Sequence, residues 1–485
     1  MTQSMRQFLS GVLVVLLVAL PLPYLLRFDH QHIATAAVLA ALLCALALRS
    51  RQTAVAVTLG VLAVLGEYRR YAGYLQGYPA SDYLLLVAPI VAFFICCLGM
   101  VSRVRPAGSG ALSVTVMLLA ALMTAQIFNP AQGGLEVGLA GALFYLVPLL
   151  WFWIGRSVGN SSVVDLALRG VILPVGVTAA AFGLFQSLHG LLPFEAAWAE
   201  STSSSNYNAL LVSRDVLRAF GLSSSGSEYT RFLLITTVVI VAHWLADRSR
   251  WIWATPLLVV ALFLASSRGP MVFLVLTSVA LWAVLARKRI TWFPRFLVAA
   301  IAGFGVLAAA LLALKSSHPS DDRIDVLVSH QVEGLLDPTN AEKSTAVGHL
   351  ALSAQALLEG VTSPAGHGLG ATTLAAIKYG SGAFSAEMDF ANVFYSLGLI
   401  GGLLYLAIMG LALQRALATW DRSRSAAELS MVAILISTLT AWMIGGEYSI
   451  AAIVWFVIGA VDRSYCELQV ARRRAHTNAY RISHA

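Results

Sequence analysis

Apolar residues come along this chain in long unbroken runs, without the strict alternation that marks half-buried strands. A run of about twenty predominantly apolar residues is what a helix needs to cross the hydrocarbon core of a bilayer. Runs of that kind cover approximately residues 8–26, 32–48, 52–68, 83–101, 110–128, 134–155, 162–187, 229–246, 251–267, 270–286, 294–314, 390–413, 425–444 and 447–461. The third and the last give the weakest patterns. In hydrocarbon only helices and closed barrels satisfy every backbone group, and unbroken runs select helices. The pattern therefore predicts an all-α polytopic membrane protein of about fourteen transmembrane helices.

Two polar stretches stand apart from the short connections, at about 188–228 and 315–389. A connection as long as the second is usually functional or disordered. This one is not low-complexity. Val347, Leu350, Ala351, Ala354, Leu357 and Leu358 follow helical spacing, which predicts an amphipathic helix. A turn-rich stretch follows, Ser363-Pro-Ala-Gly-His-Gly-Leu-Gly370.

Composition agrees with the runs. Only 12% of the residues are charged and 58% are hydrophobic, against about 25% charged in a soluble chain. The net charge of +8 would raise nucleic acid as a partner in a soluble protein. Here cytoplasmic loops that collect Lys and Arg explain it more simply, and no basic patch is interleaved with aromatics. If the N-terminus is cytoplasmic and the runs alternate, the inner loops hold Arg6; Arg49 and Arg51; Arg103 and Arg105; Arg156; Arg248 and Arg250; Arg287, Lys288, Arg289 and Arg295; Arg415, Arg422 and Arg424; and Arg463, Arg472, Arg473, Arg474 and Arg481 in the tail. That places 20 of the 32 basic residues inside, which favours an even number of spans with both termini cytoplasmic. The chain then divides into spans 1–11 (residues 1–314), a large outer loop (315–389), spans 12–14 (390–461) and a basic cytoplasmic tail (462–485). The run from Phe8 lacks an A-x-A-like cleavage site and reads as a retained span. Cys44, Cys96, Cys97 and Cys466 all fall outside the outer segments, so no disulfide is expected.

The same topology gathers polar chemistry on the outer side. Arg268, in Ser266-Ser-Arg-Gly-Pro270, is wedged between two spans with almost no loop. Such an arginine is costly unless it is paired or faces a wet recess. Arg218 lies on the same side, in Val216-Leu-Arg-Ala-Phe-Gly221, with Glu228 and Arg231 following. Planar guanidinium forks suit a diphosphate; the competing readings are a snorkelling anchor for Arg268 and a local pair with Glu228 for Arg231. The outer loop holds His318, His330, His349 and His367. His367 sits in Gly366-His-Gly-Leu-Gly370, a weak match to a nucleotide loop and better read as a tight turn. No metal-ligand spacing is present. Glu387 and Asp389 precede the re-entering run; either is a candidate general base, or a helix N-terminal charge. Tyr68, Tyr71, Tyr74, Tyr78 and Tyr83 read as an interfacial aromatic belt.

Four groups of residues then line up in order on one side. They are Asn129-Pro130 with Val147-Pro-Leu-Leu-Trp-Phe-Trp-Ile-Gly-Arg156, Arg218-Ala-Phe-Gly221, Ser267-Arg268-Gly269, and Pro364–Gly370 with Leu397-Gly-Leu-Ile-Gly401. Over roughly residues 125–415 the chain resembles the bacterial O-antigen ligase and O-antigen or exopolysaccharide polymerase superfamily. The resemblance implies a metal-independent membrane glycosyltransferase of the C-type fold, without a cofactor, in the bacterial cytoplasmic (inner) membrane. The large loop would be periplasmic. Such an enzyme passes a glycan from an undecaprenyl-diphosphate-linked donor to the hydroxyl of a glycan acceptor. Carried over, Arg218 and Arg268 bind the diphosphate, with Arg231 beside them. Ligases of this group show a His-Asn pair shortly before the re-entering span. This chain reads Glu387-Met-Asp-Phe-Ala-Asn392 there. Glu387 or Asp389 would replace the histidine as base, or His367 or His349 would reach in from the loop. The departure favours a repeat-unit polymerase over a ligase. Rival readings are a flippase for lipid-linked sugar and a subunit working with other polysaccharide-assembly proteins. Against the first, Glu136, Asp165 and Arg169 lie close to run ends and no inverted repeat is visible.

Overall fold

The computed structural model describes residues 3–26, 31–79, 82–101, 110–201, 211–213, 216–286, 322–337, 339–340, 346–380, 384–386, 388–442 and 447–483. The run 294–314 lies outside them; the other thirteen runs coincide with helices. In chain order these are α1 (Gln3–Ala19), α2 (Gln31–Arg49), α3 (Arg51–Gln76), α4 (Val87–Val101), α5 (Ala111–Gln126), α6 (Leu135–Val158), α7 (Ser161–His189), and, after a short α8 (Pro193–Ser201), α9 (Gly226–Asp247), α10 (Thr255–Leu264) and α11 (Arg268–Ala286). The long polar stretch supplies α12 (Asp322–Leu336), α13 (Ala346–Thr362) and α14 (Leu374–Tyr379), and α15 (Asp389–Ser423), α16 (Ala426–Ser437) and α17 (Tyr448–Ser483) complete the chain. A two-stranded antiparallel ladder, β1 (Leu211–Ser213) with β2 (Val216–Leu217), is the sheet among the described residues. Nine of the described helices are long and apolar enough to cross a membrane. The protein is an α-helical, multi-pass membrane protein.

Local sequence sets the breaks. Ser50 separates α2 from α3 because its side chain accepts from the Thr53 amide (3.3 Å) and caps the second helix. The weak third run lengthens to Gln76, so that Glu67, Arg69 and Arg70 ride on its last turns. The expected span 425–444 is helical only to Ser437, where Thr438–Trp442 turns. The last run, expected to stop at 461, continues as one helix into the basic tail, whose Ala and Arg are good helix formers.

Polar residues sort to two ends. At one, Asp462 of α17 takes ion pairs from Arg156 of α6 and Arg415 of α15, all three nearly inaccessible. Arg463 donates to the Ser157 carbonyl beside them (2.5 Å). The helices approach closely here because Gly155 and Gly459 face each other's backbones. A Cβ on Gly155 would lie 2.1 Å from the Phe456 carbonyl oxygen. Arg169 meets Asp247 at 3.2 Å among the same set of connections. At the other end the segments 66–79, 82–84, 126–132, 186–195, 218–231, 266–268, 440–442 and 447–449 gather and carry α12, α13 and α14.

Helix α12 lies over the ends of α7, α10 and α11. Ile324, Val328 and Val332 pack on Leu184, Val260, Phe263 and Leu264, and Arg323 donates to the Ser187 carbonyl (3.1 Å). Helix α13 packs on the start of α15 through small residues, Ser353, Ala356 and Gly360. A Cβ on Gly360 would lie 2.5 Å from the Phe394 carbonyl oxygen. The apolar stripe read from the sequence faces largely away from this contact. Helix α15 is broken at Gly398 (φ 69°), which separates a short first segment from the long one.

Replacing Asp462 by Asn removes the buried charge that Arg156 and Arg415 share. A loss of about 3–5 kcal/mol is expected, read as a large drop in the melting temperature of the detergent-solubilised protein. An unchanged melt would mean that this triad does not hold α6, α15 and α17 together.

Candidate functional site

The motif Arg218-Ala-Phe-Gly221 leaves the β2 strand and is fixed from below. The Gln186 side chain, fully buried on α7, accepts from the Phe220 and Gly221 amides (3.1 and 2.8 Å) and donates to Glu195 (2.5 Å). Gly221 has φ 51°, and the Tyr229 ring occupies the space where a Cβ would stand. A side chain is therefore excluded there twice, by conformation and by volume.

Arg268 opens α11, just after Ser266 (φ 54°). One terminal nitrogen donates to the His330 carbonyl (2.6 Å). Its Nε is buried without a hydrogen-bond partner, and no carboxylate pairs with it among the described residues. The guanidinium fills the gap left by Gly334, one turn beyond His330; a Cβ on Gly334 would lie 1.8 Å from Cζ. Residues four apart share a helix face, so His330 and Gly334 together turn one face of α12 onto Arg268. The His330 imidazole is pushed below its ordinary pKa, first by burial and then by the charges of Arg268 and Arg218, with Glu333 opposing. Arg218 and Arg268 thus both stand within electrostatic reach of one imidazole. Arg268 keeps an unanswered donor, suited to an anion such as a phosphate group.

Arg231 is held differently. It pairs with Glu447 (2.5 Å) at the start of α17, rather than with Glu228. Glu228, buried, accepts from the Ser224 amide (2.8 Å), the Ser449 amide (3.0 Å) and the Ser449 hydroxyl (2.5 Å). Next to it Arg70 lies against the Trp198 and Phe220 rings (4.4 and 3.8 Å), which meet each other edge-on. It also donates to Glu67 (3.0 Å) and to the Ser223 and Ser224 carbonyls. This ties the 220–225 turn to α3. A cavity of about 310 Å³ opens beside it, lined by Arg69, Arg70, Asp82, Trp198, Ser224 and Lys378 among others. Arg69 and Asp82 pair across its wall (2.6 Å). Of the tyrosines, Tyr68 and Tyr78 hydrogen-bond the Ala19 and Phe194 carbonyls, while Tyr74 and Tyr83 stay exposed.

The glycine-rich stretch is a tight turn, with Gly366 at φ 69° and Gly368 at φ 99°. The break at Gly398 removes helical partners from the Tyr395 and Ser396 carbonyls. The His367 and Gly368 amides take their place (3.1 and 3.0 Å). Gln126 and Asn129 hold the turn from the other side through the Ala365 and Gly366 carbonyls. The two halves of the last sequence motif are thus in direct backbone contact. The His367 ring stacks on Tyr395 (4.1 Å), which stacks on Phe384 (4.5 Å). Its Nδ1 lies 3.1 Å from the Tyr395 carbonyl and its Nε2 3.9 Å from Glu359. Asp389 is buried in the first turn of α15, with its amide on the Thr440 carbonyl (3.0 Å). It stands within electrostatic reach of Tyr145 and Tyr405. His349 is half-buried in the first turn of α13. Glu387 lies outside the described residues.

Of the residues singled out in the sequence, Arg218 and Arg268 both lie within electrostatic reach of His330. His367 and Asp389 flank the re-entering helix, and Arg231 stands in an ion pair. His330, Gln186, Glu195, Glu67 and Arg70 were not selected as site residues. The i, i+4 pair His330 and Gly334 and the charged end of the third run were the signals available for them. No family model matches this sequence, and no curated protein matches it.

A docked His330 takes up a proton less readily than a free one. Docking of α12 is therefore fully stable above the ordinary histidine value of about 6.5 and weakens as pH falls through the lower docked value. Protection of the amides across residues 322–336, taken relative to the intrinsic base-catalysed rate at each pH, is expected to fall between pH 7.5 and 5.5, and His330→Gln to remove that dependence. Equal protection at both pH values would place the imidazole away from the two arginines. A second expectation concerns the turn. Gly398→Val adds a Cβ 2.0 Å from the Pro364 carbonyl oxygen at a positive φ, a cost of at least ~2 kcal/mol. Thermal melts should show it, and a neutral variant would refute the close backbone contact.

Proposed function

We propose that this protein transfers a glycan from a polyprenyl diphosphate carrier to a sugar hydroxyl. It most closely fits a repeat-unit polymerase of an exopolysaccharide or O-antigen, working on the periplasmic face of the bacterial inner membrane. One observation carries the reading. Arg218 and Arg268, fifty residues apart in sequence, both stand within electrostatic reach of His330, and Arg268 keeps a buried donor without a partner. The motif order read from the sequence supports the same class of reaction.

In the proposed step an acceptor hydroxyl oxygen attacks the anomeric carbon of the donor sugar, and the bond to the diphosphate oxygen breaks with its electron pair. The diphosphate leaves with the polyprenyl chain, and the acceptor proton passes to a base. Arg218 and Arg268 stabilise the negative charge that grows on the leaving oxygen. The same charge would raise the His330 pKa, so that a third cation joins the pair once the donor is bound. The base stands on the re-entering side, where Asp389 and His367 are the described candidates. Arg231 is left to its pair with Glu447.

Arg218→Ala and Arg268→Ala should each lower turnover by about 10²–10³ and cause single lipid-linked repeat units to accumulate in cells, at normal membrane levels of the protein. Asp389→Asn and His367→Gln, assayed alongside, separate the two candidate bases. If chains grow normally but fail to reach a final acceptor, the protein is a ligase. If neither arginine matters, the transport or assembly reading replaces this one.

A further inference from the structure

Helix α13 shows three sectors when its residues are set at about 100° intervals. Ser353, Ala356 and Gly360 form the sector buried on α15. Gln355, Glu359 and Thr362 form a polar flank. Between them runs the apolar stripe Val347, Leu350, Ala351, Ala354, Leu358 and Val361, about 21 Å long at the helical rise. This stripe touches little of the protein: Val347 is 49% exposed, Leu350 60%, Leu358 64% and Val361 53%. A contiguous apolar face of this kind in water marks an interaction surface.

The stripe lies on a helix packed directly against a candidate membrane span. Helix α13 packs on the first segment of α15, and beyond the Gly398 break α15 exposes Ile400 (62%), Leu403 (54%) and Leu406 (43%). Those residues lie on a helix long and apolar enough to cross the membrane. On the following helix, α14, Leu374 and Ile377 are exposed as well, flanked by Lys378 and Tyr379. Basic and aromatic residues at such a border are the usual interfacial anchors.

We propose that α13 is an interfacial helix whose apolar stripe is embedded in the acyl chains of the bilayer leaflet at this end of the bundle. The helix is therefore not suspended in the aqueous compartment that the alternation of spans assigns to residues 315–389. Its polar flank lies at headgroup level, and its small-residue sector grips α15. Leaving the stripe in water would set four large side chains against solvent, whereas sinking it places them among chains as apolar as themselves. The inference stands on burial and packing alone and is independent of the reaction proposed above.

Nitroxide labels at Leu350, Leu358, Gln355 and Leu403, introduced singly into full-length protein lacking its four native cysteines and reconstituted in liposomes, test it. Leu403 reports lipid. At Leu350 and Leu358, collisions with oxygen should exceed those with a water-soluble nickel chelate, as at Leu403, and the order should reverse at Gln355. Nickel access at Leu350 and Leu358 equal to that at Gln355 would place α13 in water and overturn the proposal. Protection of both positions from both reagents would overturn it too, because a second copy or another protein would then cover the stripe.

Discussion

An arginine at the edge of a hydrocarbon phase needs a counter-charge or a polar recess, and the architecture follows from how each such arginine is answered. Arg156 and Arg415 share Asp462 and lock α6, α15 and α17 at one end. Arg70 lies against two rings, is bonded to Glu67 and donates to the Ser223 and Ser224 carbonyls, which fixes the 220–225 turn. Arg231 closes on Glu447 and joins α9 to α17. Arg268 departs from this rule. It has the His330 carbonyl and a space emptied by Gly334, and no carboxylate among the described residues. Among the described residues this sets Arg268 apart from Arg70, Arg156, Arg231 and Arg415, each of which meets a carboxylate.

The anomaly is held in place by rigid parts. Gln186 and Glu195 pin the Arg218 motif from beneath, and Arg323 and Ser266 pin α12 above it. The Gly398 break serves a similar end on the other side. It frees two carbonyls of α15, which take the His367 turn, and so brings residues distant in sequence to the point where the chain returns to the membrane. Backbone contact of this closeness is available only to glycine at 366 and 398.

Much of this was legible in the sequence. Runs of twenty apolar residues give helices almost regardless of tertiary context, because hydrocarbon allows little else. The tight turn at Gly366–Gly370 was legible for similarly local reasons. The partners of the arginines were not. His330 stands 62 residues beyond Arg268, and nothing in local spacing shows which of four loop histidines returns to it. Arg70 and Glu67 were hidden by the third run, whose pattern faded where the helix became polar. The stripe on α13 was visible as a stripe, but periodicity says which residues share a face and not what that face meets.

The central claim is that Arg218 and Arg268 together hold a lipid diphosphate. Native mass spectrometry of the purified protein with undecaprenyl diphosphate tests it most directly. The account predicts that the wild-type protein retains the lipid and that a folded variant carrying both Arg218→Ala and Arg268→Ala loses it. Equal retention by the two proteins would contradict it.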